Sequence, residues 1–598
     1  MSRTNGRWYA VLAVVLCAAT GCDPVNPCAV GTYDPGPPRA CRLPDGGTIF
    51  LDEPDAATPD AAVDARVDEP DACANTWYRD ADEDGHGSAS DSIVACVTPA
   101  GYVASSDDCD DDCETCIPGG VEVCDGRDQN CDGAVDGDDL CDFGMGCIDG
   151  SCSAIPILEW QVQVEPGPDA GGGEVLDVRV RSAQGSDQVV ALLTYRGGVR
   201  VGGTLLGGLR RDTTIAMLRF TRDGDLLGET HTIATATSTS PTALVATGFD
   251  LDDTGVAWVT GSFTEGANVL GRELGPAGGL SFLVRLSPSG TGIVLRQPAM
   301  TYGAIAARSD GVALCGVLRG DLIVGGATLT SDAGGDIVVG LADSGGNLTR
   351  GALVRGPGLI DCTGIAARPG SAVAGGTYSG SGLVAGGVAL PEGGLQDIWM
   401  VSLDDEGGLA WTLTGGSATT ADRAGEVGVV GTRFILPTAD AGEGMLCGDG
   451  PIGEQSVSLV QRGEGPGCTV TRGRLDGEDE FPPTRGFHVP PAGPVPVVAV
   501  NLQQQFSDSR LWFGPAMATS TGPTDAVLLG YSSDGTSPAW MAHLAGSETE
   551  ESDGIAWVDA RSIVVGGTFD GSLSLDDAAN LSASGTQVNG YIATYRVR

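Results

Sequence analysis

Asp80, Asp82 and Asp84 alternate along one short stretch that ends at Gly85, in the frame D-x-D-x-D-G. Carboxylates at this spacing fall on one side of a tight loop, and glycine supplies the left-handed backbone such a turn needs. His86, seventh in the frame, is placed to offer its backbone carbonyl, and Asp91, twelfth, a closing carboxylate. A second frame, D-x-[DN]-x-D-G-x-x-D-x-x-D, is filled by Asp128, Asn130, Asp132, Gly133, Asp136 and Asp139. Hard oxygen donors at these intervals suit Ca2+. Aspartate is shorter than the glutamate that usually closes such loops, which predicts weaker or water-assisted binding. The competing reading is a solvated acidic region stapled by disulfides, but the kept alternation and the kept glycines favour two metal sites.

The second frame is similar to the calcium-binding type 3 repeat of thrombospondins. The order WYRDADEDGHGS, then GYVASSDDCDD, then VEVCDGRDQNCDGAVD resembles the MopE-type metal-binding motif of bacterial surface proteins, from Trp77 to Asp136. The resemblance implies metal binding and exposure, and no reaction. Two departures stand out. His86 occupies a position where an aromatic is common, and the insert CETCIPGG replaces the usual Asp-Pro-Asn tract, adding Cys113 and Cys116. In an exported module rich in cysteine this C-x-x-C pair reads as a disulfide, with a zinc or redox pair as the alternative. Copper or zinc is accordingly the runner-up to calcium.

Elsewhere the chemistry is sparse. No lysine occurs, so all 33 basic residues are arginine. That removes P-loop, Schiff-base and Ser-x-x-Lys chemistries. The formal charge of −46 opposes binding to nucleic acid or to anionic membrane surfaces. The four histidines, His86, His231, His488 and His543, show no metal-ligand or triad-like spacing. No G-x-S-x-G or H-E-x-x-H motif is present, and acid pairs such as Asp252 and Asp253 read as turn caps. The expectation is a protein that is not an enzyme.

These residues must be delivered and held. Residues 1–21 carry Arg3 and Arg7 before an apolar core and end in Ala19-Thr20-Gly21-Cys22, which resembles a bacterial lipobox. The resemblance implies removal of 1–21 and acylation of Cys22, hence attachment of an exported protein to a membrane, at the outer membrane or cell surface. Residues 22–72 form the anchored N-terminus and a spacer. Within it, 51–72 is almost wholly Asp, Ala, Pro, Glu and Val, a composition that cannot bury enough apolar surface to fold. Cys28 and Cys41 flank a Pro-Gly loop that one disulfide can close. Residues 73–153 are the acidic, cysteine-rich module. Twelve of the 18 cysteines lie between Cys28 and Cys152, a density that outside the cytosol means a disulfide framework.

Residues 154–598 repeat. The stretch GVAWVTGSF, a glycine-rich excursion, and FLVRLSPSG (Gly255 to Gly290) return in degraded form six more times. Self-similarity at a fixed period of roughly 60 residues means a repeat architecture. Four short strands per unit, punctuated by turns such as Asp223-Gly224 and Asp534-Gly535, predict an all-β fold, a seven-bladed β-propeller. The pattern is similar to SBBP-like bacterial propeller repeats. The last unit stops at its third strand, YIATYRVR, and the missing fourth stands at the other end of the domain as LEWQVQVE (158–165). Pairing them would remove two open edges. Cys315 and Cys362 are placed to join neighbouring blades, and Cys447 and Cys468 to bridge the most degenerate unit. The functional expectation is a calcium-stiffened stalk that presents a propeller to a protein or glycan, with no nucleic-acid partner. Transition-metal acquisition, and hydrolysis or lysis of a surface polymer, are the alternatives.

Overall fold

The computed structural model describes residues 32–34, 40–42, 48–50 and 75–598, the last span with short gaps at connecting loops, the longest at 441–455. The leader, Cys22, Cys28, the 51–72 spacer, Asp139 and Cys447 lie outside the described residues. Two compact units emerge, Met1–Asn75 with Val94–Val97, and Thr76–Ile93 with Thr98–Arg598. In the first, Thr32–Asp34, Ala40–Arg42 and Thr48–Phe50 form a three-stranded antiparallel sheet that places Cys41 opposite Tyr33 and Ile49. The described residues are strands and turns, with a single 3-10 turn at Pro241–Ala243. Among them no helix is long and apolar enough to cross a membrane.

The larger unit is a β-propeller. Its second blade shows the plan: Leu244–Leu251, Ala257–Phe263, Ser281–Leu286 and Gly292–Leu295 pair antiparallel in chain order. Six four-stranded meanders of this kind follow one another among the described residues, and a seventh sheet joins Glu550–Trp557, Ser562–Phe569 and Asn589–Arg596 to Ile157–Pro166. The first strands of neighbouring sheets pack together, and the last of them, Glu550–Trp557, meets the first, Glu174–Ser182. Strands read as near-continuous apolar runs because each sheet is covered on both faces by its neighbours. Val497–Gln503 and Thr524–Tyr531, for example, are buried almost throughout. The cores therefore lie between blades. One contains Trp258, Leu283 and Met300, contributed by the second and third sheets.

Recurrent turn chemistry sets the register. In the hairpin joining third to fourth strands, Thr221, Ser287, Asp343, Asp404 and Ser532 occupy the same place. The side-chain oxygen of each accepts the N–H of a residue four or five positions on, at 2.7–3.1 Å. A glycine three residues along closes the turn with positive φ: Gly224, Gly290, Gly346, Gly407 and Gly535. These are the positions where the sequence shows Asp-Gly and Pro-Ser-Gly turns.

The glycine-rich excursion between second and third strands forms a second, small hairpin. In the second blade, Ala267–Val269 and Arg272–Leu274 reach back and pair with the outer strand of the first blade, Ala234 opposite Val269. Five of the seven blades acquire extra strands this way, so each covers an edge that would otherwise be unpaired.

Closure follows the pairing read from the sequence. Strand Ile157–Pro166 runs antiparallel to Asn589–Arg596, from Gly590 opposite Val164 to Arg596 opposite Ile157. Trp160 on this strand packs against Phe220 and donates from Nε1 to the Arg222 carbonyl, 2.5 Å. Cys315 and Cys362 form a disulfide between the third and fourth blades, and Cys468 is also disulfide-bonded.

Deleting residues 154–166 should expose the edge of Asn589–Arg596 and lower the melting temperature sharply. The point substitution Ile592→Ala, at a wholly buried site of that strand, should cost about 2–5 kcal/mol by loss of burial and cavity formation. Thermal and urea unfolding of the two variants checks both; an unchanged melt for the deletion would mean that the ring does not depend on this strand.

Candidate metal centre

Strand Asn75–Arg79 delivers Asp80 to a tight turn in which Glu83 and Gly85 adopt positive φ, +69° and +94°. Asp80, Asp82 and Asp84 each spend one oxygen on the loop itself. Gly85 N–H donates to Asp80 Oδ2 (3.2 Å), Asp84 N–H to Asp82 Oδ1 (3.3 Å) and His86 N–H to Asp84 Oδ1 (2.7 Å). The other oxygens, Asp80 Oδ1, Asp82 Oδ2 and Asp84 Oδ2, are buried with no hydrogen-bond partner. The three residues each place a carboxylate oxygen within 4.8 Å of the others.

The loop is completed by a stretch that the first frame does not contain. Asp82 also groups with Asp108 and Asp111, again within 4.8 Å. Asp108 is 8% exposed; its Oδ1 accepts the Asp110 N–H at 2.8 Å, and its Oδ2 is a fourth buried oxygen without a partner. Asp111 Oδ1 holds the Ala81 N–H at 2.8 Å, tying the two loops together. Burial, followed by the charge of Asp84, raises the Asp82 carboxyl above the usual range. Asp108 is raised as well, first by burial and then by Asp84 and Asp82. Four inward carboxylate oxygens without a donor are destabilising unless a cation neutralises them. The residues present therefore fit a hard divalent cation, which Asp80, Asp82, Asp84, Asp108 and Asp111 would hold through oxygen alone.

Asp91 departs from the sequence expectation. Strand Ser88–Ala95 begins two residues after His86, so Asp91 is carried away in extended backbone, and its carboxylate lies 3.5 Å from Arg79. In its place, a parallel bridge from Ser88 to Asp108 and a 3.3 Å bond from Asp108 N–H to the Gly87 carbonyl bring in the second acidic stretch. Only glycine allows this approach at position 87, where a Cβ would lie 2.8 Å from the Tyr78 Cβ. The His86 ring turns outward to Asp107, Nδ1 to Oδ1 2.9 Å, and that hydrogen bond raises its pKa.

The second frame is used differently. Asp128 accepts Gly133 N–H at 2.8 Å and Asp132 N–H at 3.3 Å, while Asn130 Oδ1 also accepts Asp132 N–H at 2.9 Å. Asp136, itself at positive φ, turns away and caps the backbone N–H groups of Asp125 and Gly126 at 2.9–3.1 Å. Asp128, Asp132 and Asp136 do not bring three ligand oxygens within 4.8 Å of one another. This loop lies next to disulfides. Cys109–Cys131, Cys124–Cys147 and Cys141–Cys152 staple the module, and Cys113 pairs with Cys116. The sulfur of the C-x-x-C pair is thus committed to a disulfide, as expected.

The propeller holds charges that sequence spacing does not reveal. Its first strands carry Asp177 with Arg179 (2.9 Å), Arg181 with Asp250 (3.5 Å) and Glu426 with His488 (3.4 Å). Asp553 accepts the Val178 N–H at 3.0 Å, and burial, reinforced by Asp177, pushes its carboxyl well up. Burial would raise Glu426 too, but His488, Arg181 and Arg179 outweigh it and hold it at about 2. At the end where first strands turn into second strands, a cavity of about 910 Å3 opens among Asp250, Asp253, Arg308, Arg368 and Trp557. Asp252 accepts the N–H groups of Thr254 and Val256, which makes it the turn cap read from the sequence.

Replacing Asp108 separates the two readings of the first site. Asp108→Asn should stabilise the cation-free module by relieving repulsion, and should abolish most of its Ca2+-dependent stabilisation. For the unaltered protein that stabilisation is about 2.7 kcal/mol at a hundredfold excess over the dissociation constant. Asp91→Asn should leave it unchanged. Calcium titrations followed by thermal melts check both, and a reversed ranking would restore the twelve-residue loop.

No known family profile matches the sequence, and no curated protein does. Among solved structures, BamB from Moraxella catarrhalis is similar at 11% identity and a TM-score of 0.32, over 74% of this chain and 100% of that one. The WD40 domain of SCAP from fission yeast is similar at 8% identity and a TM-score of 0.32, over 73% and 98%. The phage phi92 endosialidase follows at 9% identity and a TM-score of 0.32, over 74% and 70%.

Proposed function

We propose that this chain is a non-enzymatic exported lipoprotein in which a calcium-stabilised acidic module presents a seven-bladed propeller for binding a protein or glycan at a cell surface. The observation that carries the reading is the set of four buried, partnerless carboxylate oxygens on Asp80, Asp82, Asp84 and Asp108. Oxygen-only donors favour Ca2+ over copper or zinc, which prefer nitrogen and sulfur. Cys96, Cys109, Cys113, Cys116, Cys124, Cys131, Cys141, Cys147 and Cys152 are all disulfide-bonded and offer no thiolate. Such disulfides suit an oxidising compartment, in keeping with export and acylation at Cys22. A binding role for the propeller is supported by its inner charges, which are paired with one another or with backbone N–H groups across neighbouring blades.

The direct test is limited proteolysis of the full chain with Ca2+ and with chelator, disulfides intact. Cleavage should increase within 76–112 on chelation while the propeller stays protected. Equal cleavage in both conditions would leave a solvated acidic stalk. Separately, Cys22→Ser should release the protein from membranes and abolish acyl labelling; a variant that still fractionates with membrane would refute the anchor.

A further inference from the structure

Glu550 opens the first strand of the seventh blade, Glu550–Trp557, and is wholly buried. Both of its carboxyl oxygens are buried, and the groups within hydrogen-bonding reach of them are the Asp525 carboxyl and the Glu548 backbone N–H. Its principal neighbour is Asp525, on the third strand of the sixth blade, also wholly buried. Asp525 is already saturated: it accepts Thr521 N–H at 2.6 Å and Gly522 N–H at 3.3 Å, and His543 Nε2 lies 2.9 Å from its Oδ2. The His543 side chain is 23% exposed and connects this buried pair to solvent. The other titratable groups around Glu550 are Asp570 after the second strand, Glu548 before the first, Glu551 beside it, and Tyr591 on the third strand. None of these is a guanidinium. Burial, and then the charge of Asp525, push the Glu550 carboxyl up to about 8.

The location makes this pair consequential. A Cβ on Gly546 would lie 2.2 Å from Glu550 Oε1 and 2.0 Å from the Ser572 carbonyl, so Glu550 lies against the point where Gly546 pairs with Leu573. That pairing is where the seventh blade's hairpin clasps the outer strand of the sixth. Thr521 Oγ1 also donates to the Gly546 carbonyl at 2.7 Å, so the turn that cradles Asp525 shares the same anchor.

We propose that protonated Glu550 is a lock on the seam between the sixth and seventh blades, and that loss of its proton to solvent base, by way of Asp525 and His543, releases the Gly546–Leu573 clasp and the Thr521–Asp525 turn. The neutral carboxyl can sit beside the Asp525 carboxylate without repulsion, whereas two buried anions with no cation between them cannot. The sign follows from linkage. A carboxyl raised in the folded state stabilises it fully at low pH, and that contribution is lost as pH climbs toward the raised value.

Hydrogen exchange of the intact chain tests this, with each pH point compared against Glu550→Gln, which keeps the shape and a permanent donor toward Asp525. From about pH 6 to about pH 9, wild-type protection at 521–525, 545–552 and 572–574 should fall relative to the variant, with other blades unchanged. Matching profiles, or a loss spread evenly over the ring, would overturn the proposal. Should the variant fail to fold, wild type labelled with carbon-13 at glutamate side-chain carboxyls alone, which keeps the raised Asp553 out of the shifted band, decides the matter by infrared spectroscopy. A protonated-carboxyl stretch persisting at neutral pH and vanishing as the clasp opens supports the lock, and its absence at neutral pH refutes it.

Discussion

Everything in the propeller depends on one antiparallel pairing, that of Ile157–Pro166 with Asn589–Arg596. A ring of sheets has no edges only if its first and last strands meet; otherwise each blade's inner face is covered and the terminal one is not. Here the pairing joins residues more than 400 positions apart, so its closure entropy is large and must be offset by buried contacts. The closing sheet supplies them: Val164, Ile592, Tyr591 and Tyr595 are buried. Polar links then fix the angle of each blade to the next. Asp250 holds Ala307 N–H, Thr363 Oγ1 reaches the Gly425 carbonyl, and Asn501 bonds both N–H and carbonyl of Ser552. Each such side chain leaves one blade and terminates on the backbone of the next, so rotating either blade of the pair breaks these hydrogen bonds.

The acidic module solves a different problem. It has little apolar material, and among its residues the fully buried side chains include the sulfurs of Cys113 and Cys116. Four disulfides between described residues, with a further one at Cys96, limit the unfolded ensemble. They cannot remove the repulsion among the five carboxylates of the first site. That repulsion is tolerable because one oxygen of Asp80, Asp82, Asp84 and Asp108 each is held by a backbone N–H, which fixes the loop shape before any cation arrives. Preorganisation of this kind holds an otherwise unfavourable cluster of carboxylates in place.

The repeats were legible because their signals are local. Turn residues such as Asp404 and Gly407 sit a fixed distance apart, and the orphan strand at 158–165 carries the same pattern as the fourth strands elsewhere. The clustering of Asp80, Asp82 and Asp84 was legible for the same reason. Asp108 and Asp111 were not, because they join through a parallel bridge to Ser88 that no short spacing encodes. Asp91 was misplaced because the frame assumed that the loop continues, whereas a strand starts at Ser88. The charges of the first strands stayed hidden for a stronger reason. Arg179, Glu426, His488 and Asp553 come from four different blades and acquire meaning only when the ring brings them together.

The junction between module and propeller shows that the domain boundary in the chain is not the boundary in space. Phe143 packs against the core shared by the fifth and sixth blades, and Gly144 N–H donates to the Ala539 carbonyl at 2.9 Å. Ile155, whose N–H bonds the Gly144 carbonyl, packs into the core of the sixth and seventh blades. The hairpin Met145–Ile148 and Ser151–Ala154 is thereby fastened to the propeller at both ends. Its Cys147 is bonded to Cys124, and its Cys152 to Cys141. The second acidic loop therefore hangs from the propeller through covalent links, whereas the first site reaches it through Cys109–Cys131. A cation at the first site would act on the part of the module farthest, along this chain of links, from the blades. The hairpin is fastened at both ends by contacts that involve none of the first-site carboxylates, so any ordering by a cation would fall on the first loop and not on the hairpin.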